Sequence, residues 1–391
     1  MTVRNVTSLG QVFTPTAIVD LMLDLRQRKG RVLEPSAGAG AFSDQIESCI
    51  AIELDPTVAK ASMLLTDFFT YPLSERFDTI IGNPPYVRFQ DIPEVTRARL
   101  DTQHFDGRSN LFLFFIDKCV RHLADDGELI FIVPREFIKL TAARKLNRWL
   151  YDTGTITHWV ETGDTRIFAG ALPNCAIFRF EKGNFSRRTQ FRTLQSPHWE
   201  ERQFIEMDGQ LAFSPAPMTV ALADLFSVKV GAVSGADDVF AHPNGNVDFV
   251  CSQTVDSGAT RRMLYNQQHP DLLPHKPRLL SRRVRRFDES NWWHWGRTYP
   301  LSDSPRIYVN GRTRRDAPFF LHPARAYDGA ILALFPHDTT MALNEAVNLL
   351  NTAVPWEALG FRVDGRFLFT QRSLQTLHLP ESFRVLAPAY R

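Results

Sequence analysis

The sequence predicts an α/β protein: a doubly wound, mostly parallel sheet in residues 1–215, then a second domain of mixed α/β character in residues 216–391. Three observations predict it. Short apolar runs alternate with helical patterns as far as Phe180, the signature of strands and helices laid alternately on one sheet. The first apolar run opens into a loop of small residues, Pro35 to Gly40, as at the ligand-binding end of such a sheet. At Ser214-Pro215-Ala216-Pro217 the texture changes to one rich in Pro, Arg and Trp, which marks the boundary.

In order, Arg31 to Glu34 reads as a first strand, Ile50 to Glu53 as a second and Asp78 to Ile81 as a third. Glu128 to Val133 is a fourth, stopped by Pro134. Ile156 to Val160 and Cys175 to Phe180 follow with no convincing helix between them, which suggests a hairpin at the sheet edge. Helical patterns occupy Pro15 to Arg28, Leu111 to Leu123 and Glu136 to Leu150. In the second half Arg306 to Asn310 is a strand candidate, but pattern alone assigns no topology there.

The bulk numbers limit the function classes. With 391 residues the chain exceeds one ordinary core. At 44% hydrophobic and 23% charged it has the composition of a soluble globular protein, with no apolar run of membrane-spanning length and no signal-peptide core near Met1. Cys49, Cys119, Cys175 and Cys251 are widely spaced, which argues against a disulfide framework or a zinc knuckle and fits a reducing cytoplasm. The histidines show no ligand spacing and no Asp…Glu-x-Lys nuclease site is evident, so no metal is expected.

Asn83-Pro84-Pro85-Tyr86 is the most informative segment. Two prolines cannot continue a strand or donate to its ladder, so the chain must leave the sheet as a stiff loop at the strand's C-terminal end. There the Asn83 side chain and the Pro84 carbonyl form a fixed pair of acceptors suited to a planar amino group, with the Tyr86 ring beside them. Upstream, Gly38 and Gly40 let a ligand approach the backbone. As a dinucleotide fingerprint this loop is incomplete, because Ser43 stands at the third glycine position. Glu53, at the second strand's end, suits ribose hydroxyls; Asp67 suits an adenine amino group, with Phe68 or Phe69 against the ring. Together they describe a site for a nucleoside without a phosphate chain, such as S-adenosylmethionine.

From Gly10 to Phe180 the chain resembles the DNA adenine-N6 methyltransferases in their gamma motif order. Gly10-Gln11-Val12-Phe13-Thr14-Pro15 is similar to the family's N-terminal motif, which implies contact between Thr14 and the methionine end of S-adenosylmethionine. Glu34 with the Gly38/Gly40 loop resembles the first cofactor motif, and Glu53 and Asp67 fall at its ribose and adenine acids. Asn83-Pro84-Pro85-Tyr86 matches the catalytic motif, which implies the class I methyltransferase sheet and methyl transfer to the N6 amine of a flipped-out adenine in double-stranded DNA. Phe168 resembles an aromatic position opposite the target base; a loop phenylalanine packed on the core is the other reading. The resemblance further implies a restriction–modification system whose cognate nuclease is encoded nearby and needs no direct contact, and a monomer suffices for one strand at a time. The same motif serves enzymes acting on ribosomal RNA adenine or protein glutamine. A degenerate non-catalytic subunit and a nuclease fusion are the remaining alternatives.

Net charge is only +2, but Arg261 to Arg315 holds 13 Lys/Arg against 4 Asp/Glu. Arg282, Arg283, Arg285 and Arg286 sit at its centre, interleaved with Tyr265, Phe287, Trp292, Trp293, Trp295, Tyr299 and Tyr308. This is the footprint of a polyanion-binding surface, with Pro85 and these arginines as expected substrate contacts. The alternative is a solvated basic face over its own aromatic core.

Overall fold

The structure, a computed structural model, describes residues 13–105, 109–163, 174–298, 302–363 and 365–387. The chain forms two compact units, Met1–Pro215 and Ala216–Arg391.

The first unit is built on one sheet of ten strands: β1 (Val32–Glu34), β2 (Cys49–Glu53), β3 (Leu64–Leu65), β4 (Phe77–Gly82), β5 (Leu123–Pro134), β6 (Gly154–Glu161), β7 (Cys175–Lys182), β8 (Arg188–Thr193), β9 (Glu200–Met207) and β10 (Gln210–Ser214). Their spatial order is β10-β9-β8-β6-β7-β5-β4-β1-β2-β3. From β3 to β5 every neighbour is parallel, whereas β7 runs antiparallel between β5 and β6. The mostly parallel half, β3 to β5, is the doubly wound arrangement that the sequence predicts.

Alternation along the central strands explains why they read as continuous apolar runs. Leu33, Ile80, Leu129, Phe131 and Val133 face one core with Phe112, Phe115, Ile116 and Val120 of the helix Leu111–His122. Val32, Ile81, Ile130 and Ile132 face a second core with Ile18, Val19 and Met22 of the helix Thr16–Asp24. Both sheet faces are covered, so both parities of each strand are apolar.

Two expectations need correction. The β6–β7 hairpin is not at the edge, because β8 pairs with β6 and β9 and β10 extend the sheet beyond it. The helix expected from Glu136 is also broken: 3-10 turns at Arg135–Lys139 and Thr141–Ala143 precede an α-helix at Arg144–Thr153. Leu140 is extended between those turns. The buried Asn147 donates through Nδ2 to Phe137 O and Ile138 O at 3.2 and 3.1 Å and to Gly209 O at 3.0 Å, satisfying carbonyls that an α-helical ladder would have used.

The second unit is of mixed α/β character. Its largest sheet orders Phe226–Val230, Ile331–Pro336, Ile307–Asn310 and Phe319–Phe320, all antiparallel. Smaller sheets and the helix Leu343–Thr352 complete it. Among the described residues no helix is long and apolar enough to cross a membrane.

Candidate active site

The adjacent strands β4, β1, β2 and β3 deliver Asn83, Glu34, Glu53 and Asp67 at or just beyond their C-terminal ends, where open parallel sheets bind ligands. All four line one cavity, together with Thr14, Gly38, Phe68, Pro85 and Thr96. No lysine, arginine or histidine is among the described residues lining it.

The acids shape the cavity before they meet any ligand. Glu34, buried, accepts from Ser43 N at 2.8 Å and so closes the loop that begins at Pro35. Burial raises its carboxyl from the ordinary 4.5 to about 7, against the lowering effect of the Ser43 hydrogen bonds. Glu53 accepts from Gly38 N at 2.6 Å through Oε2, and from Leu54 N and Asp55 N at 2.9 and 2.8 Å through Oε1. A carboxylate offers roughly four lone-pair sites, so these bonds leave about one for a ribose hydroxyl. Gly38 and Gly40 have φ of 53° and 85°, in the left-handed region. A Cβ at Gly38 would meet nothing within 4 Å, so the space above that residue is open for a ligand.

Asp67 caps the 3-10 turn Phe68–Thr70, its Oδ1 accepting from Phe69 N at 2.9 Å. Its Oδ2 accepts from Thr96 Oγ1 at 3.0 Å and Arg99 Nη1 at 2.8 Å. Phe68 is buried and stacks on Phe115, with ring centroids 5.2 Å apart, presenting an aromatic wall.

The proline pair ends β4 at Gly82, and the next residue enters the cavity. Asn83 Nδ2 donates to Thr14 Oγ1 at 3.2 Å, and Ser36 Oγ donates to the Asn83 carbonyl at 3.2 Å. These bonds orient the amide and tie it to the segment around Thr14 and to the small-residue loop. Pro84 is buried. Tyr86 is half-buried, and its hydroxyl donates to Ile132 O at 2.8 Å with the ring edge-on to Phe112. It is anchored to β5 and is not among the residues lining the cavity. Phe168 lies outside the described residues.

The arginines of the second unit separate. Arg282 is not an exposed contact residue, which corrects the expectation for it. It is 8% exposed, and it donates from Nε to Leu279 O at 2.8 Å and from Nη2 to Trp292 O and His294 O at 2.7 and 2.9 Å. Nη1 donates to Ser234 O, and the guanidinium stacks 3.9 Å from the Phe287 ring centroid. Its donors are spent on the unit's own backbone. Arg283, Arg285 and Arg286 are exposed. The aromatics between them are largely core: Phe287, Trp292, Trp295 and Tyr308 are buried, and Trp295 donates to Leu264 O and stacks on Phe249. Tyr265 and Trp293 are half-buried, and Tyr299 lies outside the described residues.

His242, His269 and Asp271 also gather in this unit. His242 Nδ1 accepts from Asn244 N at 3.1 Å, so the neutral ring keeps its proton on Nε2, which points 2.8 Å to Asp271. Ligation through Nε2 would put a proton on Nδ1 against that amide, so the arrangement is a hydrogen-bonded pair and not a ligand set.

Thr96, Arg99 and the Thr14–Asn83 tie are the site features that the sequence does not reveal. The motif around Thr14 points only to the cofactor, and nothing local marks Thr96 or Arg99.

Residues 39–168 match the Eco57I restriction-modification methylase family. The chain is 29% identical over 221 residues to the type II methyltransferase M.HincII of Haemophilus influenzae, covering 53% of this chain and 44% of that protein. It is 30% identical over 224 residues to the type II methyltransferase M.TthHB8I of Thermus thermophilus, covering 50% of this chain and 51% of that protein. The chain thus spans about half the length of these relatives. The solved structure of the type IIL restriction-modification enzyme MmeI in complex with DNA superposes with a TM-score of 0.47 at 11% identity, covering 96% of this chain and 69% of that one. The cofactor is S-adenosylmethionine: the matched family is one of methylases, and an acidic cavity with no cation among the described residues lining it and an open glycine cradle fits an adenosyl sulfonium better than a phosphate-bearing ligand.

Proposed function

We propose that this chain is a type II restriction–modification methyltransferase and transfers a methyl group from S-adenosylmethionine to the N6 amine of an adenine in duplex DNA. The observation that carries this reading is the shared cavity: Asn83 of the Asn-Pro-Pro-Tyr loop lines the same space as Glu53, Asp67 and the Gly38 loop.

An adenine amine is a poor nucleophile because its lone pair is delocalised into the ring. Asn83 Oδ1 and the Pro84 carbonyl accept its two hydrogens and draw the nitrogen towards tetrahedral geometry, which localises the lone pair. S-adenosylmethionine supplies an electrophilic methyl on its sulfonium. Thr14, through Asn83 Nδ2, keeps the amide in register, so positioning and electrostatics carry the rate. The base must leave the duplex, at a cost of about a few kcal/mol, and stacking of roughly 1–3 kcal/mol per base offsets much of it. Pro85, which lines the cavity, supplies part of that surface. Arg283, Arg285 and Arg286 supply phosphate contacts. The reading places the enzyme in the cytoplasm, acting as a monomer with no direct contact to a cognate nuclease.

The test is incubation with S-adenosylmethionine and unmethylated genomic DNA, followed by single-molecule sequencing for N6-methyladenine, with ribosomal RNA and protein as parallel radiolabel acceptors. A single methylated DNA motif is expected, and Asn83→Ala is expected to lower transfer by at least about 100-fold with cofactor binding intact. Label in RNA or protein alone, or wild-type turnover in the variant, refutes the reading.

A further inference from the structure

We infer that Arg99 is a positioning residue that makes the cofactor pocket selective for a 6-amino purine, by holding Asp67 as an oriented acceptor. The inference rests on the reading of the cavity as the S-adenosylmethionine site.

A carboxylate at a cavity wall is not an oriented acceptor by itself, because its terminal torsion is broad and two-fold. Asp67 is held from both sides. Phe69 N takes one position on Oδ1, and Thr96 Oγ1 and Arg99 Nη1 occupy Oδ2. Of roughly four lone-pair sites, about one remains, on Oδ1. Asp67 and Thr96 line the cavity, while Arg99 stands behind them with its side chain 40% exposed. It reaches Asp67 because the short helix Glu94–Arg97 turns back on itself, with Arg99 N donating to Thr96 O at 2.9 Å. Buried Ile92 and half-buried Leu100 pin this segment to the core on either side. A carboxylate paired with a guanidinium is a pure acceptor, which favours an amine at purine position 6 and disfavours a carbonyl oxygen.

The test compares S-adenosylhomocysteine with S-inosylhomocysteine by calorimetry on the full chain. Wild type is expected to prefer the adenosyl compound by about tenfold or more. Arg99→Ala is expected to narrow that ratio to within about threefold, chiefly by weakening the adenosyl compound, and Arg99→Lys to restore part of it. Thr96→Val, which removes the second donor on Oδ2, is expected to narrow the ratio too and serves if Arg99→Ala does not fold. Both ligands weakening in parallel, with the wild-type ratio kept, would make Arg99 merely structural and overturn the inference alone. A wild-type protein that binds neither compound overturns the reading of the cavity, and this inference with it.

Discussion

Glu34→Gln tests whether a buried acid holds the small-residue loop at a cost in stability that depends on pH. The Glu34 side chain is 1% exposed, so solvent screening does not discount its electrostatics. Burial raises its carboxyl from 4.5 to about 7 in the folded chain. Between those values the unfolded chain has released the proton that the folded chain keeps, so rising pH favours unfolding. The penalty is absent below about pH 4.5 and complete above about pH 7. A shift of this size corresponds to about 3 kcal/mol, at 1.36 kcal/mol per unit. Glutamine keeps the shape and still accepts from Ser43 N, but it does not titrate. Relative to wild type, the variant should gain about 2.5 kcal/mol between pH 5 and pH 8. Hydrogen–deuterium exchange of β1, β4 and β5 amides reports the opening free energy of this unit without interference from the other. Groups that titrate alike in both proteins cancel in the difference. A wild-type-to-variant difference constant to about 0.5 kcal/mol across that range would refute the reasoning.

Two further predictions concern residues whose neighbours in the chain look alike. Arg282→Ala leaves the buried carbonyls of Ser234, Leu279 and Trp292 and the half-buried carbonyl of His294 without their donor, and should destabilise the second unit by more than about 3 kcal/mol in exchange or thermal unfolding. The triple variant Arg283→Ala, Arg285→Ala, Arg286→Ala should leave stability unchanged but lower DNA affinity, and reduce the slope of log K against log salt by roughly 0.9 for each phosphate that is no longer neutralised; an unchanged slope removes these residues from the DNA surface. Thr14→Val deletes the partner of Asn83 Nδ2 and should lower kcat about ten- to hundredfold with little change in cofactor affinity. A rise in the dissociation constant with kcat preserved would instead place Thr14 at the cofactor alone.

Why some of this is legible in the sequence and some is not follows from particular residues. The central strands announce themselves because both faces are buried, and Asn83-Pro84 must leave the sheet because prolines cannot pair. Strands β8 and β9 do not stand out because their sequences, such as Arg188-Thr189-Gln190-Phe191-Arg192-Thr193, leave many positions exposed and carry few apolar residues, and β10 is only five residues long. One signal is available: Asp208-Gly209, both at positive φ, is the two-residue turn that joins β9 to β10. The helix expected from Glu136 fails because the carbonyls of Phe137 and Ile138 find a tertiary donor in Asn147. Among the four clustered arginines, no local feature tells Arg282 from Arg283; the difference lies in carbonyls contributed by chain 10 to 48 residues away.

The acids of the cavity are legible as positions but not as connections, and the difference changes what a mutation means. The sequence presents Glu34, Glu53 and Asp67 as groups waiting for a ligand. Instead Glu34 holds Ser43, Glu53 holds Gly38 with Leu54 and Asp55, and Asp67 holds Phe69, Thr96 and Arg99. Glu53 and Asp67 spend most of their acceptor capacity, and Glu34 one bond, keeping the walls in a ligand-ready shape, which lowers the ordering cost of binding. Removing one acid therefore deletes a ligand contact and loosens the loop that presents the others. Their effects on cofactor affinity should be non-additive, most strongly for Glu34 and Glu53, which act on the two ends of one loop through Ser43 and Gly38. A double variant whose loss equals the sum of the single losses would show that the two carboxylates act on the ligand independently and that the loop keeps its shape without them.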